Sequence, residues 1–225
     1  VLEAGAPFDV LTIHPYRPKL IDKGFMKELQ DTQALVGGRP VWITEMGWST
    51  QIGGTDERKQ AQLLARSYLC AIASGACQNI GWYDLRDDGN DPFYFESNFG
   101  VVRQDFSPKP AYRALATICN GLASGTPERI SKFESDGVFA LRMAGAVAVW
   151  TSDKDLAVEC SACKGSARIR NLMGEDVPVS SGKSRRFSVQ LHAGSPVVIS
   201  GESIQIRKIK EQREARQQQK EAGKQ

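Results

Sequence analysis

Seven side chains stand where their types and spacing could do chemistry: His14 and Tyr16, Glu45 and Trp48, then Trp82, Asp84 and Arg86. Each group ends or follows a short apolar run. The runs are Phe8-Asp9-Val10-Leu11-Thr12-Ile13, Val41-Trp42-Ile43-Thr44 and Asn79-Ile80-Gly81. A carboxylate and an imidazole can attack an electrophile or move a proton, and indoles offer flat apolar faces. Glu45 is the most pointed of the set, because a charge that ends an apolar run is costly unless it faces a polar pocket. A structural carboxylate paired with Arg86 or Arg17 meets the same requirement, so spacing alone leaves both readings open. His14 alone reads equally as a hydrogen-bonded structural residue, and Trp82 as core.

The elements that must position these groups can be read from periodicity. Residues 8–14, with β-branched Val10, Thr12 and Ile13, form a run too short for a globular helix that stops at Pro15, which predicts a buried strand. Leu20, Ile21, Phe25, Met26 and Leu29 then fall at helical spacing, and Gly37-Gly38 with Pro40 ends the pattern. Strand signal returns at 41–45, helix at 56–76 (Leu63, Leu64, Ser67, Tyr68 and Ala71 on one face), strand at 79–84 and helix at 111–119. Alternation of this kind predicts parallel strands covered by helices, in which reactive side chains gather at the carboxyl ends of the strands. Polar residues at three successive strand ends suit a site better than a core.

Beyond Gly121 the pattern changes. Residues 139–142, 147–151, 167–170, 186–191 and 196–200 read as strands separated by turn residues, which predicts a small antiparallel β-sandwich. The linker composition Gly121-Leu-Ala-Ser-Gly-Thr126 divides a first unit, 1–121, from the sandwich, 127–201. Residues 202–225 carry seven Lys/Arg against four Glu and almost nothing to bury, so they are expected to be a charged tail, disordered or helical.

That tail also accounts for the whole formal charge of +3, which leaves the body neutral and gives no support to a nucleic-acid surface. No apolar stretch approaches the ~20 residues of a membrane span. Of the five cysteines, Cys160 and Cys163 have C-x-x-C spacing without further ligands to complete a zinc site. A local disulfide, or two thiols in a strand region, is the expectation. No metal or cofactor is called for. The chain starts Val1-Leu2-Glu3, without a leader pattern, so its compartment is not legible; an extracellular or periplasmic one is compatible.

Three stretches together resemble the (β/α)8-barrel retaining glycosidases of glycoside hydrolase clan A: His14-Pro15-Tyr16 after that fold's sixth strand, Trp42-Ile43-Thr44-Glu45-Met46-Gly47-Trp48 at its seventh, and Gly81-Trp82-Tyr83-Asp84 at its eighth. The segment from Asp87 through Asn98-Phe99-Gly100 to Ser107-Pro108-Lys109-Pro110-Ala111-Tyr112 is similar to the closing part of such barrels. The resemblance covers about residues 4–120. It implies a TIM barrel's C-terminal part, a carbohydrate substrate, Glu45 as nucleophile, Tyr16 bonded to it, and His14 and Trp82 lining the sugar, with Trp48, Asp84 and Arg86 as further binding candidates.

It also implies a second carboxylate, about 5 Å from the first in a retaining enzyme, supplied by an Asn-Glu pair after the fourth strand. Nothing here matches that pair: Glu28 and Glu57 read as helical, and Glu96 falls in the eighth loop. A complete barrel takes ~250 residues. The expectation is therefore a partial barrel whose missing N-terminal part is a partner. A degenerate carbohydrate-binding module is the alternative.

Overall fold

The computed structural model describes residues 5, 7–122, 125–178, 180–181 and 185–210. Its first part alternates strand and helix: β1 Leu11–Ile13, α1 Asp22–Leu35, β2 Val41–Ile43, α2 Glu57–Ser74, β3 Cys77–Ile80 and α3 Pro110–Leu122. The strands form one parallel sheet in the order β1-β2-β3. Side-chain alternation divides its faces. Val41 and Ile43 are fully buried, whereas Thr12, Trp42 and Asn79, which are register partners across the sheet, face outward and are exposed.

The helices follow from local chemistry. Asp56 caps α2 by accepting from the Lys59 N–H at 2.7 Å, and Gly75 closes it in the left-handed region at φ 69°. Phe25, Met26 and Leu29 of α1, Leu64 and Leu69 of α2, and Ala114 and Ile118 of α3 supply the buried stripes that meet in one core. The third strand lies earlier than the expected 79–84. Gly81 is the last residue to bond back to β2, through its N–H to the Ile43 carbonyl at 2.8 Å, and Trp82, Tyr83 and Asp84 continue as loop.

The second part comprises β4 Glu128–Arg129, β5 Val138–Met143, β6 Ala146–Thr151, β7 Leu156–Ser161, β8 Lys164–Arg170, β9 Ser180–Ser181, β10 Arg186–Leu191, β11 Val197–Glu202 and β12 Gln205–Lys210. They form two antiparallel sheets, β4-β5-β6-β11-β8 and β12-β7-β10-β9. Val138, Val149 and Ile199 of the first sheet share a core with Val158, Val189 and Leu191 of the second. The outer face of the first sheet, through Phe139, Leu141, Trp150 and Val198, joins the core of the helices instead. This is why β5 and β6 are apolar along almost their whole length: both faces are covered.

The two parts meet at Asp22. Its carboxylate accepts from Arg66 Nε at 2.9 Å and Trp150 Nε1 at 2.9 Å, and also bonds Arg66 Nη2 and the Ser152 hydroxyl. Burial pushes this carboxyl up, but the hydrogen bonds and charge of Arg66, with Ser152 and Trp150, hold it below the usual aspartate value.

Three expectations need correction or limits. Residues 205–210, read as the start of the tail, are strand β12, paired with β7, and Ile206 and Ile209 pack on the inter-sheet core. A bulge between Ile206 and Lys208 puts both isoleucines on the same side at a spacing that does not alternate. The rest of the tail, 211–225, and two linker positions, 123 and 124, lie outside the described residues. The local disulfide is not formed: Cys160 and Cys163 are free thiols, one buried between the sheets and the other exposed. Among the described residues no helix is long and apolar enough to cross a membrane.

Candidate active site

Parallel pairing brings the carboxyl ends of β1, β2 and β3 to one side of the sheet, and backbone bonds hold the loops together past the strands. Thr44 N–H reaches the Ile13 carbonyl at 3.3 Å, and Tyr83 N–H reaches the Met46 carbonyl at 3.0 Å. Gly47 is required here, because a β-carbon on it would sit 2.2 Å from the Tyr83 carbonyl oxygen.

Glu45 occupies the centre of this surface. Its Oε2 accepts from the Tyr16 phenol at 3.2 Å and lies 3.5 Å from His14 Nδ1, while His14 Nε2 pairs with Thr44 Oγ1 at 2.9 Å. The Glu45 side chain is 41% exposed, so this is a carboxylate held by the Tyr16 donor yet open to an incoming molecule. Burial, and next the Glu45 charge, raise the Tyr16 phenol well above the ordinary tyrosine range. Tyr16 therefore remains a donor throughout the neutral and alkaline range.

Neither arginine that offered the structural reading reaches Glu45. Arg17 forms a two-point pair with Glu28 at 2.9 and 3.0 Å and covers Phe25, and Arg86 stacks over Phe106 at 4.8 Å. Arg86 is thus not brought to the carboxylate. Trp48 is buried, 6.0 Å from the Trp82 ring, and Trp82 Nε1 donates to the Phe99 carbonyl at 3.2 Å, so both indoles form the floor rather than the rim. Asp84 is half-buried, and its Oδ1 has no hydrogen-bond partner. Partial burial, then the Asp88 and Asp87 carboxylates, raise it to about 6 against the pull of Lys109.

Several residues of this surface stand within the quoted stretches but were given no role by the sequence. Phe99 takes the rings of Tyr16 and Tyr83 edge-on at 6.1 and 5.4 Å. Tyr83 is raised by desolvation and by the carboxylates of Asp88, Glu96, Asp84 and Glu45, which places its phenol in the field of the same carboxylate group. Lys109, fully buried, donates to Asp87 Oδ1 at 2.7 Å and to Thr50 Oγ1 at 3.0 Å, and Asp87 Oδ1 also accepts from Gly100 N–H at 2.8 Å. That buried ion pair ties the β3–α3 loop to the loop that carries Glu45. Its members are far apart in sequence and mixed with exposed charges, so only the fold reveals the pairing.

A separate cleft of about 540 Å³ lies between Leu20, Leu63 and Phe139 at the junction of the two parts. It does not include Glu45, and the Tyr16 donor on that carboxylate is the better guide to chemistry.

Residues 3–93, which hold all seven candidate residues, match the family model described as glycosyl hydrolase catalytic core. Over 91 residues, 39% of this chain and 20% of the relative, the chain is 33% identical to a protein of Aspergillus fumigatus named "probable glucan endo-1,3-beta-glucosidase". Its fold is similar to that of a family 39 glycoside hydrolase from Bacteroides cellulosilyticus (TM-score 0.64, 23% identity, 86% of this chain and 44% of that one). A family 39 β-xylosidase from Caulobacter crescentus is also similar (TM-score 0.55, 17% identity, 89% and 53%). The chain spans one fifth of the curated relative and about half of these two structures. The resemblance to clan A glycoside hydrolases drawn from the three motifs is borne out.

Proposed function

We propose that this chain is the C-terminal part of a retaining glycoside hydrolase acting on β-linked oligo- or polysaccharides. Residues 1–121 then supply the last three strand–helix units of a (β/α)8 barrel. The two antiparallel sheets, extended from 127–201 to Lys210, form a β-sandwich packed on it as a cap. The observation that carries the reading is Glu45, which stands open at the end of β2 with the Tyr16 phenol on one of its oxygens. The names of the relatives concern β-glucan and β-xylose linkages, and they suggest the substrate class without fixing the sugar.

The chemistry follows from the groups present. Tyr16 keeps Glu45 oriented by donating to Oε2, which leaves Oε1 to attack the anomeric carbon as the leaving oxygen takes a proton from an acid. Water then cleaves the glycosyl-enzyme, assisted by the same acid group, now deprotonated. That group belongs to the missing part of the barrel. Open sheet edges support this assignment: among the described residues, β1 and β3 pair only on the side facing β2. No observation favours a purely binding role for the Glu45 surface.

In the full-length protein, Glu45→Gln should lower turnover by several orders of magnitude with folding intact, because a carboxamide neither attacks nor stabilises an oxocarbenium-like charge. Proton NMR of the first product should show the retained anomer. Near-normal turnover of the variant, or initial release of the inverted anomer, would remove Glu45 from this role.

A further inference from the structure

The rings of Tyr16, Phe99, Phe95 and Tyr94 touch in succession, all edge to face, with centroids 6.1, 6.2 and 5.6 Å apart. The series starts at the phenol bonded to Glu45 and runs outward onto the crest of the β3–α3 loop. There Phe93, Tyr94 and Phe95 are 69, 54 and 48% exposed. Three consecutive aromatics turned to water form the kind of apolar patch that marks a binding surface, since packing alone would have buried them.

The crest is also held in place. Asn98 Nδ2 donates to the Asp91 and Tyr94 carbonyls at 2.8 Å each, the Ser49 hydroxyl donates to the Phe95 carbonyl at 2.6 Å, and Ile52 N–H reaches the Pro92 carbonyl at 2.7 Å. Ser49 and Ile52 belong to the loop that follows Glu45, so the rings and the carboxylate share one scaffold. Such positioning is what a ligand platform needs, because little conformational freedom is lost on binding.

Resting on the glycosidase reading, we propose that Tyr94 and Phe95 form a sugar-stacking platform beyond the sugar at Glu45, and that the substrate is a neutral β-glycan polymer gripped over several consecutive units. An aromatic face matches the C–H face of a pyranose, and the Tyr94 hydroxyl adds a polar handle. Phe99, the ring between Tyr16 and Phe95, is buried and braces the series from beneath, so the faces open to a sugar are those of Phe95 and Tyr94. Asp91 and Glu96 flank the crest and would repel a polyanionic chain, which selects the neutral class.

The test uses the full-length protein in two backgrounds. With Glu45→Gln, which blocks turnover, affinity electrophoresis through a soluble β-1,3-glucan or a soluble xylan should retard the protein in at least one polymer. Tyr94→Ala and Phe95→Ala should weaken that retardation at least tenfold, and Tyr94→Trp should restore it. In the active background, kcat/KM on the same polymer should fall at least tenfold more than on a short aryl glycoside, mainly through KM. Equal losses on both substrates, ring-independent retardation, or retention on polygalacturonate as strong as on the neutral polymers would each overturn the proposal. If the wild type cleaves neither substrate while ring-dependent retardation persists, the platform stands and the glycosidase reading fails.

Discussion

Glu45 and its donors show how far single residues can be read without a fold. His14, Tyr16 and Glu45 were legible because each follows a short apolar run, where a polar group needs a reason. Their mutual geometry was not legible, since His14 and Tyr16 come from one loop and Glu45 from another, and only parallel pairing of Leu11–Ile13 with Val41–Ile43 brings them together. Arg86 shows the opposite case: its position at a strand end suggested the site, but the exposed ring of Phe106 offered its guanidinium a nearer partner. Asp84 was found by the same positional argument, and its burial adds a testable consequence. Its folded-state pKa of about 6 lies above the ordinary 3.8, so the stability it contributes is fully present below about pH 4 and is lost as pH rises through about 6. Asp84→Asn stays neutral and lacks this loss. Melting temperatures of the full-length wild type and variant, compared from pH 4 to 7, should therefore shift in favour of the variant as pH rises. A difference that is flat across that window would show that Asp84 ionises freely.

At the scale of elements, what the sequence conveyed depended on how regular each pattern was. The helices of the first part announced themselves by period, and Gly37-Gly38 with Pro40 marked the end of the first, whereas the caps of α2, Asp56 and Gly75, are seen only in the fold, inside the expected 56–76. β7 gives a weak strand signal because Leu-Ala-Val-Glu-Cys-Ser mixes a charged residue and small side chains, although it is paired on both sides, by β12 and β10. β12 reads as tail because its bulge breaks the two-residue period by which a strand is recognised. The β3–α3 loop had no period to read, and its shape depends on the buried pair of Lys109 and Asp87. Lys109→Met should leave the Asp87 carboxylate buried without its cation, costing about 3–5 kcal/mol of stability. Denaturant unfolding of the full-length protein measures this, and combining the change with Asp87→Asn should recover part of the loss. If the single variant is destabilised by less than about 1 kcal/mol, the pair is not what fixes the loop.

The whole molecule is asymmetric in how it uses its first sheet. One face is sealed by three helices, which are themselves clamped to the second part through Asp22, Arg66 and Trp150; the other carries the row Thr12, Trp42 and Asn79 toward solvent. Among the described residues neither outer edge of β1 or β3 is paired. Unpaired edges, with the Trp42 ring exposed between them, invite pairing with another chain. The expectation is that residues 1–225 expressed alone associate or aggregate, and hydrolyse natural oligosaccharides far more slowly than the longer gene product. Two causes of slow hydrolysis can be told apart. Without a general acid, a poor leaving group departs unprotonated and forfeits about 10²- to 10⁴-fold, whereas an activated aryl group needs little protonation. Loss of the acid alone would thus spare aryl glycosides, and loss of the fold would abolish both activities. Light scattering with size-exclusion chromatography gives the solution size alongside these rates. A monomeric 225-residue chain that cleaves natural oligosaccharides as fast as the longer product would defeat the partial-barrel argument and move the acid's role to a carboxylate already in this chain, with Asp84 and Glu96, both in the field of Tyr83, the first to test.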